Sequence, residues 1–193
     1  MGMLLPQRCP GCHQYLLGPC TVCVGDLSAL RSRNPDRAAL VHAGQARRMV
    51  LGLKYRNARH VAAQLAVPMA HSVRDAGLLD VVTWAPTSAR RIADRGFDPA
   101  ELLARAVADL LGLPCRRLLH RARRSGPQSG KSRVARLAGP EFVGKPLWRA
   151  PRVLLIDDVT TTGATLRAGA AALLRVGAAE VRCLAATEAP SSR

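Results

Sequence analysis

The chain has 193 residues, 48% hydrophobic and only 3% aromatic, with 29 Lys and Arg against 13 Asp and Glu and a formal net charge of +16. That length suits one domain with a good core and a small appendage, and a mean hydropathy of +0.03 describes a soluble globular chain, not a disordered one. No apolar run approaches the roughly 18–20 residues of a membrane span, and the opening MGMLLPQR has too short an apolar core for a signal peptide, so a cytoplasmic protein is predicted.

Residues 1–25 are punctuated by Cys, Pro and Gly and are too few to bury a core; residues 26–193 form the main domain. Cys9-x2-Cys12 and Cys20-x2-Cys23 make two short hooks with seven residues between them. Such spacing wraps one tetrahedral zinc, which predicts a tight hairpin around a structural metal, with a redox dithiol as the alternative. His13 is a bystander, since four thiolates suffice. Cys115 and Cys183 lie in apolar runs and read as core thiols.

A short helix is expected from residue 26 to about 33, ended by Asn34-Pro35. From 46 to 73 the spacing of Val50, Leu53, Val61, Leu65 and Val73 suits one or two helices divided near Asn57. Residues 79–85 read as a strand ending at Pro86. Asp98 caps a helix running to Leu111, with Pro99 in its first turn and Gly112 as its stop. Residues 114–119 read as a further strand. The segment 120–141, with Gly126-Pro127, Gly130 and Gly139-Pro140, reads as a long loop, a feature that in a compact domain is usually functional or disordered. Residues 153–156 are all aliphatic, as in a strand buried on both faces. A helix over 164–176 ending at Gly177 and a strand over 180–186 complete a parallel, doubly wound α/β sheet.

Charge is concentrated between Arg116 and Arg152, where eleven Lys and Arg accompany one acid, Glu141. A solvated loop explains this blandly; a surface for phosphate, on a small substrate or on nucleic acid, explains it functionally. Few aromatics weigh against stacking many bases.

The stretch 153-VLLIDDVTTTGAT-165 combines a buried strand, two adjacent acids and a hydroxyl-rich turn into a helix. Carboxyl ends of parallel strands are where open α/β sheets bind ligands. Free N–H groups at the helix start, with hydroxyls of Thr160, Thr161, Thr162 and Thr165 and a close approach at Gly163 and Ala164, make a phosphate cradle. It lacks the lysine and glycine spacing of a P-loop. Acids repel a bare phosphate, so Asp157 and Asp158 face neighbouring hydroxyls, as on a ribose 5-phosphate; an acidic helix cap is the structural alternative. A second strand-end loop, 84-WAPTSARRIADRG-96, offers Arg90, Arg91 and Arg95 to an anion, or else a solvated helix face paired with Asp94. Lys54 reaches the same anion or is a surface lysine.

Residues 153–165 resemble throughout the phosphoribosyl pyrophosphate motif of type I phosphoribosyltransferases. The resemblance implies that Asp157 and Asp158 hold ribose hydroxyls, that Thr160–Thr165 bind the 5-phosphate, and that the 84–96 loop receives pyrophosphate bridged by magnesium. It also implies a hood, here 120–141, that closes to exclude water. The cysteine pairs, 53-LKYRNARHVAAQLA-66, 80-DVVTWAPTSARRIADRGFDPAELLARA-106 and 121-RARRSGPQSGKSRVAR-136 are similar to the ComF family, competence-associated proteins with a phosphoribosyltransferase-like domain. In the last stretch Arg121, Gln128 and Arg133 or Arg136 keep family-like spacing. Asp98-Pro99, Lys131 and a missing asparagine after Arg136 depart from the family pattern and bear on acceptor contacts. The resemblance implies a role in moving transforming DNA, with single-stranded DNA and a helicase-like protein as partners. Three functions stay open: phosphoribosyl pyrophosphate binding linked to competence, a non-catalytic DNA- or nucleotide-binding module, and a salvage enzyme acting on nucleobases. No residue stands out as an obligatory general base.

Overall fold

The computed structural model describes residues 6–16, 20–122 and 140–190. Its centre is a four-stranded parallel sheet in the order β3 (Ala38–Val41), β8 (Glu180–Glu188), β7 (Arg152–Thr160), β4 (Val81–Trp84). Helices α2 (Gly44–Tyr55), α3 (Val61–Ser72) and α5 (Pro99–Leu111) cover one face, where Met49, Leu53, Leu65 and Leu103 pack on Trp84, Leu154 and Ile156. Helix α6 (Ala164–Arg175) covers the other, where Leu166 and Leu173 meet Val153 and Leu155. The aliphatic run in β7 follows directly, because successive side chains alternate between two buried faces. No helix of the described residues is long and apolar enough to cross a membrane.

β4 leads through α4 (Ala89–Arg95) into α5 on the first face, and β7 leads into α6 on the second. Connections from these adjacent strands therefore depart to opposite sides, and a crevice opens beyond their carboxyl ends.

The doubly wound sheet and the division between α2 and α3 match expectation, as does α5, whose Asp98 accepts from the Ala100 N–H and whose Gly112 sits at φ 66°. Several boundaries differ. β7 does not stop at Ile156. It continues to Thr160 because the equally long β8 supplies partners beyond that point, pairing Asp157 with Ala185 and Thr160 with Glu188. The first helix, α1, spans Thr21–Leu27, followed by a 3-10 turn at Ser28–Leu30, and not residues 26–33. A helical turn places Cys20 and Cys23 on one side, three residues apart, so the cysteine pair fixes where winding begins. The division between residues 25 and 26 thus falls inside α1. Residues 114–119 contribute one bridge, Cys115 beside Val82, and the next strand, β5 (Leu119–Arg121), pairs instead with β6 (Phe142–Gly144) as an antiparallel pair over α6. β3 has no sequence signature, because Ala38 and Ala39 are poor strand formers held by pairing with β8.

Candidate functional site

At the N-terminus β1 (Gln7–Arg8) and β2 (Tyr15–Leu16) form a short antiparallel pair. The sulfurs of Cys9, Cys12, Cys20 and Cys23 all lie within 4.8 Å of one another and could hold a metal ion. Cys9 and Cys23 Sγ are 3.6 Å apart and Cys12 and Cys20 Sγ 3.5 Å. Four thiolates around a tetrahedral zinc, with Zn–S near 2.3 Å, stand about 3.8 Å apart, so the cluster fits. A Cβ on Gly11 would sit 2.7 Å from Cys23 Sγ, which explains the glycine between the first two ligands. A hydrogen bond from the Gln14 backbone lowers the Cys12 thiol to about 7, whereas burial raises Cys20 and Cys23. A cluster of four sulfurs this close together could share one cation. It is no separate body: Cys9, Cys20 and Cys23 belong to the same buried cluster as Met49 and Leu53, and Arg48 Nε of α2 donates to the Gly11 carbonyl at 2.9 Å.

The crevice at the sheet's carboxyl end has a volume of about 190 Å³, and its wall includes Lys54, Arg91, Arg95, Asp157, Asp158 and Thr165. These residues, from separate stretches of the chain, meet where the strand connections diverge. Asp157 is 9% exposed, and its carboxyl is raised well above the usual range, first by burial and then by the adjacent charge of Asp158. The Asp158 N–H, donating to Asp157 Oδ1 at 2.8 Å, and the Lys54 charge oppose that rise. Asp158 itself forms a 2.7 Å ion pair with Lys54 Nζ, both side chains being largely buried.

Lys54 is therefore not a surface lysine: it lines the crevice with its ammonium on the Asp158 carboxylate. Arg91 and Arg95 are one helical turn apart on α4 and share the face turned to the crevice; the exposed Arg90 is about 100° around the helix and is not in its wall. No ion pair joins Arg95 to Asp94 among the described residues; its guanidinium lies 4.9 Å from the centre of the Tyr55 ring instead. Of the threonine loop, Thr165 lines the crevice while Thr161 and Thr162 are exposed. Thr160, being on β7, is 3% exposed, and its hydroxyl finds no partner among the described residues. Gly163 takes φ 78° at the N-cap of α6, where a side chain would be strained, and Ala164 N–H donates to Thr162 Oγ1 at 3.3 Å. Gln128, Lys131, Arg133 and Arg136, like Arg123 and Arg124, lie outside the described residues.

Sequence reasoning did not place three members of the wall there, although it read Asp98 as a cap and Arg121 as part of the basic stretch. Asp98, read only as a helix cap, also accepts from the Thr87 N–H at 2.9 Å and so fixes the loop after β4; burial raises its carboxyl despite both hydrogen bonds. Tyr55 is 69% exposed at the rim, and Arg121 enters from β5. Arg121 alone carried a signal, as part of the basic stretch; the cap position of Asp98 gives no sign of its bond to Thr87. Behind Asp158, His42 Nδ1 and Thr187 Oγ1 share a 2.8 Å hydrogen bond, and burial, then Lys54 and Arg47, lowers the imidazole.

A parallel sheet with acids at the carboxyl end of its central strand, a threonine–glycine turn and arginines opposite defines the phosphoribosyltransferase class. The phosphoribosyl transferase domain family matches residues 92–193. DNA utilization protein YhgH of Salmonella typhimurium is 30% identical over 203 residues, covering 95% of this chain and 84% of that protein. The chain belongs to the phosphoribosyl transferase domain family and, within it, to the ComF-like proteins. Among solved structures, the glutamine phosphoribosylpyrophosphate amidotransferase of B. subtilis is 23% identical with a TM-score of 0.46, over 66% of this chain and 26% of that one. The purine phosphoribosyltransferase of Pyrococcus horikoshii is 16% identical with a TM-score of 0.40, over 64% and 70%.

Proposed function

We propose that the protein binds phosphoribosyl pyrophosphate in the crevice and serves DNA uptake in natural competence. The observation that carries this reading is the meeting of Asp157, Asp158 and Thr165 with Arg91 and Arg95 around one crevice of about 190 Å³. The carboxylates accept from the ribose 2′ and 3′ hydroxyls, the turn at Gly163 takes the 5-phosphate, and Arg91 and Arg95 face the pyrophosphate. Magnesium arriving with the ligand would neutralise the leaving pyrophosphate, with Asp157 and Asp158 the carboxylates at hand. Positioning and charge stabilisation dominate such transfers, in keeping with a site that offers no obvious base. The N-terminal cysteines hold one structural zinc. The division into a zinc hairpin over 1–25 and a phosphoribosyltransferase-like domain over 26–193 belongs to the same proposal, with α1 shared across it.

A second reading rests on a different observation. Eleven Lys and Arg fall between 116 and 152, and within that stretch Trp148 is 86% exposed. Together with a relative named for DNA utilization, this supports a surface for single-stranded DNA; the helicase-like partner rests on the ComF resemblance alone. Turnover of isotope-labelled phosphoribosyl pyrophosphate against a pool of bases, with and without single-stranded DNA, tests both readings. Saturable binding by the wild type is expected. Turnover on a free base without DNA would favour salvage of nucleobases, and no binding at all would overturn the first reading.

A further inference from the structure

Two arginines grip the threonine turn from its carbonyl side. Arg37, just before β3, donates from Nη2 to the Thr161 carbonyl, and its Nε lies 3.1 Å from Glu188 at the end of β8. Arg167, in the first turn of α6, donates from Nη1 to the Thr162 carbonyl at 2.6 Å. Both guanidinium groups approach the same backbone point: a Cβ on Gly163 would lie 3.0 Å from Arg167 Nη1 and 3.9 Å from Arg37 Nη2.

A trans peptide unit is rigid and planar, so the N–H of one residue points opposite to the carbonyl before it. Holding the Thr161 carbonyl fixes the direction of the Thr162 N–H, and holding the Thr162 carbonyl fixes that of the Gly163 N–H. Neither N–H donates to an acceptor among the described residues, whereas the next one, of Ala164, is taken by Thr162 Oγ1. Two consecutive N–H groups turned away from the arginines, beside a residue with positive φ, form an anion-binding nest next to the helix start.

We propose that Arg37 and Arg167 are positioning residues for the phosphate nest, acting through the Thr161 and Thr162 carbonyls and selecting a ligand that carries a terminal phosphate monoester. The proposal rests on the ribose-phosphate reading above and adds residues outside its motif. Arg37 stands 124 positions before Thr161 in the chain and belongs to no repeat or motif of its own. It is the pairing of β3 with β8 that delivers it to the turn, the Arg37 carbonyl itself accepting from the Ala185 N–H at 3.0 Å.

The test is calorimetric titration of the wild type and of Arg37→Ala, Arg167→Ala and the matching lysine variants, with ribose 5-phosphate and, separately, inorganic pyrophosphate. Each alanine variant is expected to bind ribose 5-phosphate roughly tenfold more weakly, with pyrophosphate affinity unchanged. The lysine variants, which keep one donor for the carbonyl, are expected to retain most of the affinity. The Gly163 amide resonance, which shifts on ribose 5-phosphate addition in the wild type, is expected to shift less in the alanine variants. Alanine variants that bind ribose 5-phosphate like the wild type overturn the proposal alone. Equal loss of both ligands also overturns it, since the arginines would then be general supports of the fold. A wild type that binds neither ligand overturns the ribose-phosphate reading and this proposal with it.

Discussion

The four-cysteine cluster and the crevice are both sets of polar groups brought to one point, but the chain assembles them differently. The cluster comes from fifteen consecutive positions, Cys9 to Cys23, and local turns suffice to close it. The crevice draws Lys54 from α2, Arg91 and Arg95 from α4, and Asp157, Asp158 and Thr165 from the β7–α6 junction, so it exists only once the sheet is complete. The first region should thus depend on the proposed zinc and the second on the fold.

The largest expected effect comes from breaking the cluster. Because Cys9, Cys20 and Cys23 share a buried cluster with Leu27, Met49 and Leu53, losing the metal should loosen α1 and α2 as well as the hairpin. Cys23→Ser is expected to abolish zinc binding and lower Tm by about 10 °C. Elemental analysis and calorimetry check this. Chelator-free protein holding less than about a tenth of an equivalent, yet fully stable, would show that the thiols need no metal.

The same contrast governs what could be read in advance. Cysteine spacing states its geometry within a few residues, and the hydroxyl-rich turn after two acids does so almost as well. Asp98 hides its second hydrogen bond, to Thr87, behind an ordinary cap position. Lys54 meets Asp158 only through the packing of α2 on the sheet, and Arg37 reaches the threonine turn only because β3 pairs with β8. Extending β7 through the acids also depended on the length of its neighbour, which no local pattern encodes.

Removing one charge in the crevice is the next test. Asp157→Asn keeps size and shape at a position whose burial already disfavours the charge, so the fold is expected to survive. Affinity for magnesium phosphoribosyl pyrophosphate is expected to fall by roughly one to two orders of magnitude, the loss of a charge-assisted hydrogen bond. Asp158→Asn should cost as much in affinity and also leave the Lys54 ammonium without its partner, adding a drop in Tm. Variants that bind as tightly as the wild type in calorimetric titration would reduce the two acids to a structural cap.

A pH titration separates the two carboxylates further. Asp157 faces Asp158 on its own strand, Lys54 from α2, Asp98 from the start of α5 and Cys183 from β8, whose thiol is pushed up to about 11 by burial and the Asp157 charge. Its folded value is raised above the ordinary 3.8, so the stability it contributes is full below that value and lost as pH rises through the folded one. The ionised form accepts more strongly from a ribose hydroxyl than the neutral acid does, so ribose 5-phosphate affinity should rise over the same window, by at most about tenfold per pH unit. Asp157→Asn should flatten both profiles, and a wild-type affinity that is level through that window would break the assignment.

The smallest effect concerns the surface that has neither a local motif nor a formed crevice. Lys145 and Arg149 are exposed on the segment between β6 and β7, and neither forms an ion pair among the described residues. Each phosphate neutralised on a single strand contributes about −0.7 to the log–log slope of affinity against salt. Lys145→Ala and Arg149→Gly, the latter suited to the φ of 74° at that position, should each make the slope shallower by about 0.7 and weaken binding only a few-fold. Trp148→Ala should weaken binding without changing the slope, because stacking releases no counterions. Arg121, Arg123 and Arg124 replaced together should flatten the slope further, with Arg121 also disturbing the crevice it lines. An unchanged slope in all of these variants would place any nucleic-acid surface elsewhere and leave the charge between 116 and 152 as a solvated face.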